Sequence, residues 1–335
     1  MKKSHLSLVL LILGAGIFLY TQGRSLDKEI EFEQVPQKQS IDVSSFDSVD
    51  VDVPYSLDGD PAQTMDIYYP DEAKPYKVIV LIHGGNSFGG DKRAISLEPI
   101  IREMVEDGYA VASIDYRSPD KATWPAQLYD AKAAIRYIRE NGMLYDLDTE
   151  RIVVWGTSTG AHLALMLGAT NENPEYEDLK MGNSKVSSSV QGVVSWFGLS
   201  DLVDFPVGAD AANEVIGFDI PELLVRDSLA LVDGKMSAPR YEEWLETLKN
   251  ASPIYMVTEA FPPTLLVHGA DDEVIPCKQS ILMYREINRR CNDNRATLRI
   301  LKKAGHDSPV FLDKENILED IAWVDQINFP QGRRR

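Results

Sequence analysis

The chain has 335 residues, enough for one large α/β domain or two ordinary ones, and with 44% hydrophobic and 26% charged residues it can bury a sizeable core. A formal charge of −18 argues against nucleic acid and anionic membrane surfaces as partners, with Arg333-Arg334-Arg335 a local exception that reads as a frayed, solvated end. Only two cysteines occur, Cys277 and Cys291, and no Cys/His spacing matches a metal site, so neither a disulfide framework nor a metal or other cofactor is expected.

Residues 1–23 read as a signal peptide or an N-terminal membrane anchor. Lys2 and Lys3 form a positive n-region, and Leu6 to Tyr20 is an uncharged apolar stretch of 15 residues, long for a signal peptide and short for a bilayer span. Thr21-Gln22-Gly23 has small outer residues but is not Ala-x-Ala, which leaves cleavage and retention both open. Export to the periplasm or beyond is the expectation, with any membrane contact made through this segment. Residues 24–47 are polar and without periodicity, as in a linker. The folded domain is expected over 48–335.

Val49, Val51 and Val53 alternate with acids as in a half-exposed strand, and 65–69 forms a second strand after the Asp58-Gly59-Asp60-Pro61 turn signal, giving an antiparallel edge pair. Val78 to Ile82 is an apolar run of the kind found in fully buried parallel strands, and it ends in His83-Gly84-Gly85. A helix over 95–105 follows, then a buried strand over 110–114. Residues 127–140 place Leu128, Ala131, Ala134, Ile135 and Ile138 on one helical face. Ile152 to Trp155 supplies the next strand, and alternation of this kind is the signature of βαβ units.

Between that strand and the strong helix formers Ala161 to Leu167 stands Gly156-Thr157-Ser158-Thr159-Gly160. Gly-x-Ser-x-Gly arises by chance on the order of once in ten chains of this length, but its strand-turn-helix context removes most accidents. Such a turn leaves Ser158 on a sharp bend at a helix N-terminus, where free N–H groups and the helix dipole favour developing negative charge. After a strand over 190–196, residues 199–252 are acidic and carry no strand-like run, with the clearest helix over 241–248; a helical cap inserted over one end of the sheet accounts for them. A strand over 264–267, a helix from Lys278, a strand over 297–301 and a helix around 317–327 complete the pattern. A helix over 278–290 would hold the two cysteines roughly 20 Å apart, beyond disulfide reach.

A serine hydroxyl needs a base, and the base needs an orienting acid. Of the five histidines, His5 lies in the targeting segment, His83 heads the glycine pair, His162 packs beneath the elbow and His268 ends a strand. His306 remains, on a glycine-led loop after the final strand, where parallel α/β sheets place ligands. Asp271-Asp272-Glu273 occupies the loop after the preceding strand; Asp272 is the first choice for the acid and Asp271 the fallback. Thr159 N–H and the backbone of Gly84 and Gly85 are candidate oxyanion donors.

From about Asp52 to Asp325 the chain resembles the α/β-hydrolase superfamily, within it the hormone-sensitive-lipase-like carboxylesterases, and most closely the feruloyl-esterase-like (BD-FAE-like) and acetyl-xylan-esterase-like bacterial enzymes. The residues that carry the resemblance are His83-Gly84-Gly85, Gly90-Asp91-Lys92, Asp115-Tyr116-Arg117, Trp124-Pro125-Ala126-Gln127 with Asp130, the elbow, Ser252-Pro253, and the Asp272 and His306 loops in Ser, Asp, His order. The resemblance implies a mostly parallel central sheet flanked by helices. It implies a triad of Ser158, Asp272 and His306, with Gly84, Gly85 and Thr159 at the oxyanion positions. It also implies hydrolysis of carboxylic esters, with acetyl or feruloyl esters of carbohydrates as a substrate class. A serine exopeptidase on the same fold and a ligand-binding relative without turnover are the alternatives. Two departures stand out: Asn86-Ser87-Phe88 follows the glycine pair where the family has a third glycine or an aromatic, and Ala161 follows the elbow where Gly is usual.

Overall fold

The computed structural model describes residues 12–13, 16–17, 39–85, 90–118, 121–204 and 238–328. The chain divides into two units, residues 1–38 and 39–335. Of the first, Ile12–Leu13 and Gly16–Ile17 form a two-residue antiparallel pair. The rest of the targeting segment, and residues 24–38 of the expected linker, lie outside the described residues.

The second unit is built on one eight-stranded sheet. In chain order its elements are β1 (Val49–Pro54), β2 (Thr64–Tyr68), β3 (Tyr76–Ile82), α1 (Glu98–Glu106), β4 (Tyr109–Ile114), α2 (Ala126–Asn141), β5 (Leu147–Thr157), α3 (Thr159–Ala169), β6 (Gly192–Trp196), α4 (Ala238–Asn250), β7 (Thr264–Gly269), α5 (Lys278–Cys291), β8 (Ala296–Leu301) and α6 (Lys314–Asn328). The strands lie in the order β1-β2-β4-β3-β5-β6-β7-β8. From β4 to β8 every neighbour is parallel, while β1 and β2 pair antiparallel at one edge, as the turn signal between them requires.

Period-2 alternation sorts each central strand between two cores. Val78, Val80 and Ile82 face one side with Ala110, Ala112, Ile152 and Val154, against α2, α3 and α5. Ile79, Leu81, Val111, Val153 and Trp155 face the other, against α1 and α6. Both faces are therefore covered, which is why these strands read as unbroken apolar runs. All of α3 is buried, consistent with a sequence that is apolar or small on every side.

The structure departs from the sequence reading at three places in this frame. The β1 alternation breaks at a bulge between Asp50 and Val53, where Asp52 takes φ +53° and Val51 is turned out to 46% exposure. Residues 39–47, read as the end of a linker, are attached to the main unit: Ile41 is buried, its N–H donates to Arg93 O at 2.8 Å, and Ser40 bridges Ala94. Ile41, Val43 and Phe46 are the apolar residues of this segment, and their spacing is too short to reveal a helical or strand period. Third, the expected helix from 95 opens with a 3-10 turn, Ile95–Leu97, and α1 proper starts at Glu98 with Pro99 in its first turn.

Of the expected cap, residues 205–237 lie outside the described residues. Its two ends are tied together at the main unit: Ser252 Oγ accepts from Leu202 N–H at 2.9 Å and Ile254 N–H donates to Ser200 O at 3.2 Å. Cys277 and Cys291 are both free thiols.

Candidate active site

The elbow follows from close approach of backbones. A methyl on Gly156 would stand 2.2 Å from Gly160 O, and one on Gly160 would stand 2.1 Å from Ile82 O, so no side chain fits at either position. The chain leaves β5 through Ser158, at φ +51° and ψ −117°, and enters α3 at once. Ser158 N–H donates to Trp196 O and Ser158 O accepts from His162 N–H, both at 3.0 Å, which fixes the strained residue from both sides.

Loops after β7 and β8 bring the other two groups to this bend. Asp271 N–H donates to Ala304 O at 2.9 Å, tying the acid loop to the base loop. Ser158 Oγ lies 3.0 Å from His306 Nε2, and His306 Nδ1 lies 2.8 Å from Asp272 Oδ2. Asp271 and Glu273 are exposed, whereas Asp272 is buried, so the structure selects Asp272 over the fallback.

Asp272 has unusually complete solvation by protein donors. Its Oδ1 accepts from Val274 N–H at 2.9 Å and Ile275 N–H at 2.8 Å. Burial pushes its pKa up, but the imidazoles of His268 and His306 and the Ile275 N–H outweigh that and hold the carboxyl well below the ordinary range. An ionised carboxylate only accepts, so Nδ1 of His306 carries the proton and Nε2 is left to accept from Ser158. The His306 ring meets Phe197 edge-on at 4.8 Å between centroids, and Phe197 meets Phe311 in the same way at 4.6 Å, which restricts the imidazole to this orientation.

Among the described residues, the other histidines fall where the sequence placed them, away from the proton-transfer position, and His5 lies outside those residues. His162 is fully buried under the elbow, its Nδ1 3.0 Å from Leu199 O, and burial pushes its pKa down to about 4. His83 stacks on Tyr116 at 4.5 Å, and its Nδ1 lies 2.9 Å from Gly84 O.

Gly84 touches the nucleophile: a methyl there would stand 2.7 Å from Thr157 O and 2.9 Å from Ser158 Cβ. Gly85 adopts φ +71°. Thr159 opens α3, so its N–H has no intrahelical acceptor. Gly84 and Thr159 thus border Ser158, and Gly85 follows Gly84 in the same loop, where a methyl would meet only Gly90 at 3.7 Å; Asn86 lies outside the described residues. Sequence reasoning gave no role to the cluster that holds the glycine loop. Tyr116 OH donates to His83 O at 2.8 Å; Asp115 Oδ1 lies 3.4 Å from His83 Nε2; and buried Lys92 reaches Asp115 Oδ2 at 2.9 Å. Beside Thr157 and Asp307, the chain neighbours of Ser158 and His306, lies a cavity of about 50 Å³ lined also by Leu97, Ile100, Phe197 and Phe311.

A mostly parallel sheet in this strand order, with an elbow serine after the fifth strand, a buried acid after the seventh and a histidine after the eighth, defines an α/β hydrolase. The chain belongs to the BD-FAE family, whose model matches residues 65–287; Ser158 and Asp272 fall inside the matched region and His306 beyond it. It is 32% identical over 224 residues to esterase LipC of Mycobacterium tuberculosis, a match covering 66% of this chain and 51% of that protein. The chain thus spans about half the length of the curated relatives it matches. Among solved structures, it resembles a truncated carbohydrate esterase from gut microbiota at TM-score 0.72 and 27% identity, covering 87% of this chain and 100% of that one. The bifunctional GH43-CE protein of Bacteroides eggerthii matches at TM-score 0.70 and 28% identity, covering 84% of this chain and 35% of the other.

Proposed function

We propose that the protein is an exported serine hydrolase that cleaves carboxylic esters, with short acyl esters of carbohydrates as its substrate class. The observation that carries this reading is the unbroken line from Ser158 Oγ through His306 to Asp272, at 3.0 and 2.8 Å. Ser158 Oγ attacks the ester carbonyl carbon while His306 Nε2 takes its proton. The carbonyl oxygen becomes an oxyanion beside the N–H groups of Gly84, Gly85 and Thr159, each such donor contributing about 3–4 kcal/mol to the barrier reduction. Collapse expels the alkoxide, which takes the proton back from His306, and leaves an acyl-Ser158 ester. Water, giving its proton to His306, then releases the acid and restores Ser158. Asp272 holds the imidazole tautomer and stabilises the imidazolium in both halves.

The cavity of about 50 Å³ beside Thr157 and Asp307, which neither Ser158 nor His306 lines, has room for a short acyl chain at most, in keeping with this substrate class. Similarity to carbohydrate esterases supports a sugar as the alcohol. Export is supported by Lys2, Lys3 and the apolar stretch after them. The test is hydrolysis of p-nitrophenyl acetate, a long-chain p-nitrophenyl ester, an acetylated xylo-oligosaccharide and an aminoacyl p-nitroanilide, with Ser158→Ala as control. Turnover of the two acetyl esters, lost in Ser158→Ala, is the expected result. Preference for the anilide would establish an exopeptidase, and turnover of none would establish a binding relative.

A further inference from the structure

His268, the fifth residue of β7, is fully buried and faces the acid loop. Its Nε2 stands between two oxygens, 2.7 Å from Ile275 O and 3.2 Å from Asp272 Oδ2, while its Nδ1 lies 2.7 Å from Ser280 Oγ on α5. A carbonyl oxygen and an ionised carboxylate can only accept, so Nε2 carries the proton. In the neutral ring Nδ1 then accepts from the Ser280 hydroxyl, which sets the tautomer. Ile275 is held twice: its carbonyl accepts from His268 and its N–H donates to Asp272 Oδ1 at 2.8 Å.

We propose that His268 is a positioning residue for the hydrolytic reaction, locking the acid loop to β7 and α5 so that Asp272 Oδ2 stays aimed at His306. The inference rests on the triad reading above. Any buried imidazole needs hydrogen-bond partners, but one that only filled the core would not need the orienting carboxylate of the triad, Asp272 Oδ2, among them. Here both ring nitrogens are engaged, one by the helix that follows the loop and one by the loop itself and its carboxylate. Asp272 and His306 are the titratable groups in this line, since Asp272 Oδ2 is shared by both imidazoles. Small losses of aim at a catalytic group are costly, with a misplacement of about 1 Å able to lower rate on the order of a hundredfold.

The test uses the full chain with His268→Met, His268→Gln and Ser280→Ala, read in two ways. The first is kcat and KM for p-nitrophenyl acetate; the second is the far-downfield proton NMR resonance of the His306 Nδ1–H held by Asp272, identified by its absence in His306→Ala. His268→Met is expected to lower kcat about ten- to a hundredfold with KM nearly unchanged, and to broaden or remove the resonance. His268→Gln, which restores an N–H near the Nε2 position, is expected to recover most of both. Ser280→Ala keeps the ring in place and should show a smaller loss in the same direction, so it carries the test if His268→Met does not fold. An unchanged kcat and resonance in folded His268→Met, or equal losses in the Met and Gln variants, would overturn the proposal. The resonance separates the two readings: its loss in His268→Met without ester turnover by the wild type would sink the esterase reading and leave this one standing.

Discussion

Ser158 occupies a backbone region that costs a non-glycine residue roughly 1–3 kcal/mol, and it stays there because Trp196 O, His162 N–H and the glycines on either side leave no alternative path. Gly84 shows the same economy of space on the oxyanion side. Gly84→Ala would press a methyl to 2.7 Å from Thr157 O, which is backbone and cannot swing away, so the loop must move off the nucleophile. The expected result is a fall in kcat of about 10²–10³ with the far-ultraviolet circular dichroism unchanged. A variant with full activity would show that this loop supplies no donor. Because the triad acts as a unit, Ser158→Ala and His306→Ala are each expected to cost nearly as much as the double variant, with Asp272→Asn milder. Additive losses in the double variant would mean that the two residues act independently.

At the level of elements, buried charge ties the layers together. Glu177, on the segment after α3, pairs with Lys132 and Arg136 of α2, and both cations are almost wholly buried. Glu177→Ala strands them, and a loss of about 3–5 kcal/mol in urea unfolding is expected; a loss below about 1 kcal/mol would mean that Thr170 O and Ser188 Oγ suffice for Lys132. On α6, Asp320 accepts from Trp196 Nε1 at 2.8 Å and faces Arg299 at 2.7 Å, yet burial pushes its pKa up to about 7. The folded state then keeps a proton that the unfolded chain has released above about pH 4, so this group's contribution to stability declines as pH rises from about 4 to about 7 and is level beyond. Asp320→Asn should flatten that decline when unfolding free energies at pH 5 and pH 7.5 are compared. The same decline in both proteins would remove Asp320 as its source.

The strands legible in the sequence were those buried on both faces, such as Val78 to Ile82 and Ile152 to Trp155, because burial leaves an apolar run. The first half of β5, Leu147 to Arg151, was not legible: only Leu147 and Asp148 pair there, with Tyr76 and Lys77, before a register shift, and the four residues after Leu147 are polar and record nothing of a strand. Ser158, Asp272 and His306 could be found because each sits in a loop whose position after a strand is itself readable. His268 looked like a strand end, because its partners Ser280 and Ile275 are brought to it only by the turn of α5 back onto the sheet.

Across the whole molecule, the parallel direction of β5, β7 and β8 carries their C-terminal ends to the same end of the sheet, and residues separated by 148 and 34 positions meet there without any local signal linking them. The proposed export is tested at this scale: residues 1–60 joined to a reporter are expected to carry it across the inner membrane, and a reporter left soluble in the cytoplasm would contradict the proposal. The central claim is that Ser158 is a nucleophile activated by His306. Incubation with an organophosphonate, followed by peptide mass spectrometry, tests it most directly. One phosphonyl group on Ser158, with labelling slowed by orders of magnitude in His306→Ala, is the predicted result. Labelling at another residue, or at Ser158 with an undiminished rate in His306→Ala, would contradict it.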